Sequence, residues 1–97
     1  MLTSKQRSKL KGLASTMPVI TQVGKGGITD NLLKTLSEAL EARELIKINV
    51  LDNAEEDAGM IADNLAQLLE AEVVIVIGKK VVLYRYSSRD HFAHIEL

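Results

Sequence analysis

Gly24-Lys25-Gly26-Gly27 is the stretch of this 97-residue chain whose residue types and spacing could do chemistry. Three glycines and a lysine stand between an extended segment, Val19 to Val23, and a helical pattern opened by Thr29. Backbone N–H groups at a helix N-terminus, joined by a fixed positive charge, bind anions. Glycine lets the main chain take a positive φ and lets a ligand approach with no Cβ in the way. Phosphate suits such a corner, whether free or in a nucleic-acid backbone. A Walker A loop is excluded, because that motif needs four residues between its first glycine and a Gly-Lys-Ser/Thr triplet. A dinucleotide fingerprint is excluded too, since Thr29 stands where its third glycine belongs. What remains is a G-x-x-G turn, the element with which KH domains clamp four nucleotides of backbone. An ordinary strand-to-helix connection would use the same residues for geometry alone.

The cations are unevenly spread. Residues 1–29 hold Lys5, Arg7, Lys9, Lys11 and Lys25 and no acid, and residues 30–76 hold three basic residues against eleven acids. Residues 77–97 turn basic again through Lys79, Lys80, Arg85 and Arg89. A net charge of −1 therefore conceals a two-faced molecule, and the basic face is the one a polyanion would meet. On a helical wheel Lys5 and Lys9 flank one side of an apolar stripe, Arg7 and Lys11 the other. A surface helix built only for solubility would mix the signs.

Other chemistry finds less support. His91 and His94 have only acids such as Asp90 and Glu96 to complete a ligand set, too little for a metal site. Ser87, Ser88, Asp90 and His91 are bunched in a polar tail without a scaffold or an oxyanion site. There is no cysteine, hence no disulfide, thiolate zinc site or thiol nucleophile. Tyr84 and Tyr86, two residues apart, share one face of a strand and could stack on bases or pack against a helix. The pattern is that of a binder and not an enzyme, with no cofactor and no small-molecule substrate expected.

The elements that must position these residues follow from local patterns. Thr3-Ser4-Lys5-Gln6 has the form of a capping box, and Leu10, Leu13, Ala14 and Met17 recur at helical spacing until Pro18. Thr29 predicts the cap of a second helix, with Leu32, Leu33, Leu36, Ala39 and Leu40 as its buried stripe. Ile46, Ile48 and Val50 alternate with polar residues as in a half-buried strand. Asn53-Ala54-Glu55-Glu56 predicts a second capping box ahead of a third helix carrying Ile61, Ala62, Leu65, Leu68 and Leu69. Val73 to Ile77 is a β-branched run that predicts an interior strand covered on both faces. Gly78-Lys79-Lys80 turns into a last strand, Val81 to Tyr86.

The order is α-β-α-β-α-β-β, which closes as an α/β (α+β) sandwich of three helices on a four-stranded mixed sheet. One domain spans 1–97, with a compact part at about 2–86 and a polar tail at 87–97. Hydrophobic residues at 46% and charged residues at 26% are globular values. No apolar run approaches the roughly 18 residues of a membrane span. The first residues lack a signal-peptide core, so a cytoplasmic protein is expected.

Four segments together resemble a known family. They are Lys5-Gln6 followed by Leu10-Lys11-Gly12-Leu13-Ala14, then Val23-Gly24-Lys25-Gly26-Gly27-Ile28, then the run from Ala39 to Ile48, then Ile77-Gly78-Lys79 with Val81-Val82-Leu83-Tyr84-Arg85. In this order, over about Thr3 to Arg85, they resemble the CRM (chloroplast RNA splicing and ribosome maturation) domain, in its bacterial single-domain YhbY-type form. The resemblance implies a fold akin to the C-terminal domain of translation initiation factor three, and RNA binding with a G-x-x-G loop at Gly24 through Gly27. It also implies association with precursors of the large ribosomal subunit. The acidic total and the Glu55-Glu56-Asp57 cluster depart from the expected picture.

The combined expectation is an RNA-binding protein of ribosome assembly whose partner is ribosomal RNA. The N–H groups of Gly26 and Gly27 would approach phosphate beside Lys25. Lys5, Lys9, Lys11, Lys79, Lys80 and Arg85 would supply the surrounding field. The alternative is a protein-interaction module that docks a basic ribosomal protein on the acidic third helix.

Overall fold

The computed structural model describes residues 2–97. Its elements are α1 (Ser4–Ala14), β1 (Thr21–Val23), α2 (Asp30–Arg43), β2 (Leu45–Val50), α3 (Ala58–Leu69), β3 (Glu72–Ile77) and β4 (Lys80–Tyr84). They form one mixed sheet in the order β1-β2-β4-β3, in which β1 runs parallel to β2 and the other pairs are antiparallel.

Local chemistry sets the helix starts. Thr3 accepts from the Gln6 N–H at 3.1 Å while Gln6 Oε1 accepts from the Thr3 N–H at 3.0 Å, the reciprocal box the sequence predicts. Thr29 Oγ1 accepts from Leu32 N–H at 3.1 Å and opens α2. The third helix begins later than expected. Asp57, not Asn53, is its cap, accepting from Met60 N–H at 2.9 Å. Residues 51–56 are instead a turn-rich connection that brings the chain past the end of the sheet.

The strand alternation sorts side chains into two cores. Ile46, Ile48 and Val50 of β2, with Val81 and Leu83 of β4, pack under Leu36 and Leu40 of α2 and Ile61, Leu65 and Leu69 of α3. Leu45, Val82 and Tyr84 face the other way, onto Leu10 and Ala14 of α1. Two helices cover one face of the sheet. One helix covers the other.

Three further expectations need correction. The first strand is Thr21–Val23, shorter than Val19 to Val23. The β-branched run is an edge strand and not an interior one, because β3 pairs only with β4. Its apolar character reports coverage of both faces: Val73 and Val76 meet the α2–α3 core, and Val74 and Ile75 the α1 core, across an irregularity between Val73 and Ile75. Finally, residues 87–97 are not a loose tail. Ser87 is buried, and Glu44, a fully buried carboxylate at the α2–β2 junction, accepts from Ser87 N–H at 2.7 Å and Ile95 N–H at 2.8 Å. His94 Nδ1 lies 2.5 Å from the same carboxylate, and its ring stacks on Tyr86 with centroids 3.9 Å apart.

Candidate nucleic-acid interface

The Gly24-to-Gly27 segment forms a closed turn at the end of β1. Gly27 N–H donates to Gly24 O at 2.9 Å, and Gly27 holds φ at +63°, a region in which a Cβ would be strained. Gly24 is glycine for another reason: a Cβ there would come within 3.2 Å of Leu51 Cδ1 and 3.4 Å of Asn53 Oδ1. Gly26 has neither reason. Its φ is ordinary, and a Cβ on it would meet nothing within 4 Å. With Lys25 it stands exposed at the tip, so the main chain is open where an outside molecule would approach.

The helix end behind the turn is not the anion site that the sequence suggested. Thr29 already serves an N–H of α2, and Asp30 puts a negative charge in its first turn. Nor is the Gly27 N–H available to phosphate as expected, because it is donated to Gly24 O within the turn; an anion at this corner would meet the exposed main chain at Gly26 and Lys25.

Backbone bonds fasten the turn to the rest of the sheet end. Leu51 N–H donates to Val23 O at 2.8 Å, and Val50 N–H donates to Lys79 O at 2.7 Å. The glycine turn, the chain after β2 and the Gly78–Lys79 hairpin tip therefore share one end of the sheet. Just inside that end, the register aligns Gln22 with Asn49, Asn49 with Lys80, and Lys80 with Ile77. These four side chains form a row across all four strands on the face that carries α1. The helix packs on the far half of that face, over Leu45, Val74 and Tyr84. The row is left open, and Ile77 is 63% exposed.

The predicted cations fall into separate groups. Lys25, Lys80 and Lys11 are exposed and make no ion pair among the described residues; Lys11 lies on the α1 flank that meets Ile75 and Ile77. Lys79 is at the same sheet end, but its ammonium pairs with Asp52. Lys5 and Lys9 lie on the other flank of α1, beside Leu97. Here α1 begins: Leu2 and Gln6 adjoin Tyr84, at the end of β4 remote from Lys80. They do not join the cations around the glycine turn.

Arg85 is removed from the RNA-facing set. Its guanidinium donates to Leu69 O at 2.9 Å, to Ser37 O at 3.0 Å and to Ser37 Oγ at 3.1 Å, and pairs with Glu41 at 3.5 Å. It ties the end of α3 to α2, so its donors are used inside the fold. Arg7 likewise turns inward, donating to the carbonyls of Val73 and Val74 on β3. The tyrosines do not make a stacking platform, because the strand ends at Tyr84. That ring is buried under α1, with burial and then the Glu44 charge pushing its phenol up, while Tyr86 is taken by His94.

A match to the family model for the CRS1/YhbY (CRM) domain covers residues 2–85. The chain belongs to the CRM-domain family. This CRM-domain chain is 47% identical over 90 residues to the probable RNA-binding protein YqeI of Bacillus subtilis, covering 93% of the chain and 94% of that protein. It is 35% identical to an RNA-binding protein of Haemophilus influenzae, covering 90% and 88%. Its fold matches the solution structure of the hypothetical protein SAV1595 from Staphylococcus aureus, described as a candidate RNA-binding protein. The TM-score is 0.78 and the identity 43%, over 93% of this chain and 94% of that one.

Gln22, Asn49 and Ile77 were not singled out from sequence. The signal was present in the alternation: if Ile48 and Val50 face the two-helix core, Asn49 must face away from it. What the sequence could not supply was how little of that opposite face α1 covers.

Proposed function

We propose that this CRM-domain protein binds ribosomal RNA in precursors of the large ribosomal subunit, in the cytoplasm, as a binder and not a catalyst. The observation that carries the reading is Gly26. It is a glycine that neither φ nor packing requires, exposed beside Lys25, which makes no ion pair among the described residues, and on the same sheet end as Lys80. Bare backbone next to an exposed ammonium suits a phosphate oxygen, and the naming of several relatives as RNA-binding proteins agrees with it.

The alternative, a basic protein docked on the acidic start of α3, is less well supported. Two of its carboxylates already serve the fold: Asp57 caps α3, and Glu56 accepts from Asn64 at 3.3 Å. Crosslinking in cells, with sequencing of the attached RNA, tests the proposal. Reads concentrated in large-subunit ribosomal RNA are expected. Reads spread over messenger RNA would contradict the ribosomal assignment.

A further inference from the structure

Beside the open row, the sheet face drops into a cleft of about 400 Å³ between α1 and the β3–β4 hairpin. Its floor is aliphatic, made of Ile75, Ile77 and Val82, and its wall is α1 at Lys11, Gly12 and Ser15. No acid lines it, unlike the cavity at the start of α1, which holds Glu70 and Glu72, and the one beside Lys79, which holds Asp52, Glu55 and Asp57.

Two further observations say what the cleft accommodates. Gly12 lies inside a helix, where glycine costs about 1 kcal/mol relative to alanine. No positive φ or close contact requires it, and a Cβ there would meet nothing within 4 Å. The wall is thinned where a flat ligand would slide in. Lys47 also reaches from β2 to the end of α1, donating to Ala14 O at 3.1 Å and Met17 O at 3.3 Å. It neutralises the negative helix end that would otherwise face this region and repel a phosphate.

We infer that this cleft takes an unpaired nucleobase, so that the RNA bound by the glycine turn is single-stranded. The inference rests on the RNA-binding reading above and specifies it. Phosphates would lie on Lys25 and Lys80. The amides of Gln22 and Asn49 are placed to meet base edges, and one base would leave the strand to cover Ile75 and Ile77 with Lys11 beside it. The row from Gln22 to Ile77 crosses three strand intervals, about 14 Å, a span that a few nucleotides cover. A duplex keeps its bases stacked and paired and has none to offer the cleft.

The test is a titration of methyl-labelled protein with a single-stranded RNA oligomer, a blunt duplex of the same sequence and an abasic ribose-phosphate oligomer. Ring-current shifts at the Ile75 and Ile77 methyls are expected with the single strand only, because a phosphate contact carries no ring current. G12L fills the cleft from a position with open space. It should weaken single-strand binding about tenfold without lowering the thermal midpoint. K25E serves as the control for the glycine turn. If G12L and wild type bind single strands equally while K25E binds weakly, the cleft assignment is overturned and the RNA reading stands. If the duplex is preferred, the inference of an unpaired strand fails. If wild type binds none of the three probes, the RNA reading fails and the cleft with it.

Discussion

Ser87 donates its backbone N–H to Glu44 Oε2 at 2.7 Å, joining the chain after β4 to the junction of α2 and β2 across 43 residues of sequence. The same carboxylate receives Ile95 N–H and lies against His94, so one buried acid fixes three points of the C-terminal segment. A buried polar group is retained where its bonds are complete, and removal of the acceptor leaves donors unmatched. Glu44 therefore belongs to the fold and not to the proposed RNA face.

Glu44→Gln keeps the shape of the side chain but offers one carbonyl oxygen where the segment uses two. The expected cost is about 1–3 kcal/mol, read as a lower urea midpoint at neutral pH with RNA affinity unchanged. An unaltered midpoint would contradict the clasp.

The same group gives a pH dependence. Burial raises the Glu44 carboxyl, but the bonds from His94, Ser87 and Ile95 outweigh it and hold the group below its ordinary value of 4.5. A carboxyl lower in the folded than in the unfolded chain stabilises the protein above the unfolded value. That contribution is lost as pH falls through the folded value. The wild-type urea midpoint should decline with acid below about 4.5, and Glu44→Gln should lack part of that decline. Parallel profiles for the two proteins would count against the assignment.

Arg85→Ala separates a structural arginine from an RNA contact. It strips the partner from Leu69 O and Ser37 O, with an expected loss of about 1.5–3 kcal/mol. Gel-shift affinity for RNA, measured well below the unfolding temperature, should stay within about twofold of wild type. A large fall in affinity with no change in stability would return Arg85 to the RNA face.

The glycines of the turn should part company. Gly27→Ala places a Cβ at φ +63° and should cost about 1–2 kcal/mol. Gly26→Asp meets no clash in the fold, so the thermal midpoint should hold while RNA affinity falls about tenfold. Equal effects on stability would mean that Gly26, too, is a fold residue.

How much of this was legible in the sequence depends on the range of the interaction. The caps at Thr3 and Thr29 and the alternation of β2 are local, and they stand where the pattern places them. The cap of α3 was misplaced because Asn53 and Asp57 are both capping residues four positions apart. The loop before α3 had to reach Gly24, a tertiary requirement. Arg85 and Lys79 read as free cations because their partners, Leu69, Ser37 and Asp52, come from other elements. The anchoring of residues 87–97 through Ser87, His94 and Ile95 was hidden for the same reason: a polar segment is polar whether it faces water or a buried carboxylate. For the proposed RNA face, Gly24 to Gly27 and Lys25 were visible as a motif. The coverage of the sheet by α1, which opens the row from Gln22 to Ile77, was not.

Backbone amide mapping tests the account most directly. Uniformly labelled protein is titrated with single-stranded RNA from the large-subunit ribosomal sequence, at two salt concentrations. The largest shifts should fall on Lys25, Gly26 and Gly27, with Gln22, Asn49 and Lys80 following. Log affinity should decline with log salt by about 0.7 for each phosphate neutralised. Shifts concentrated on Glu55 to Asp63, with the glycine turn silent, would contradict it.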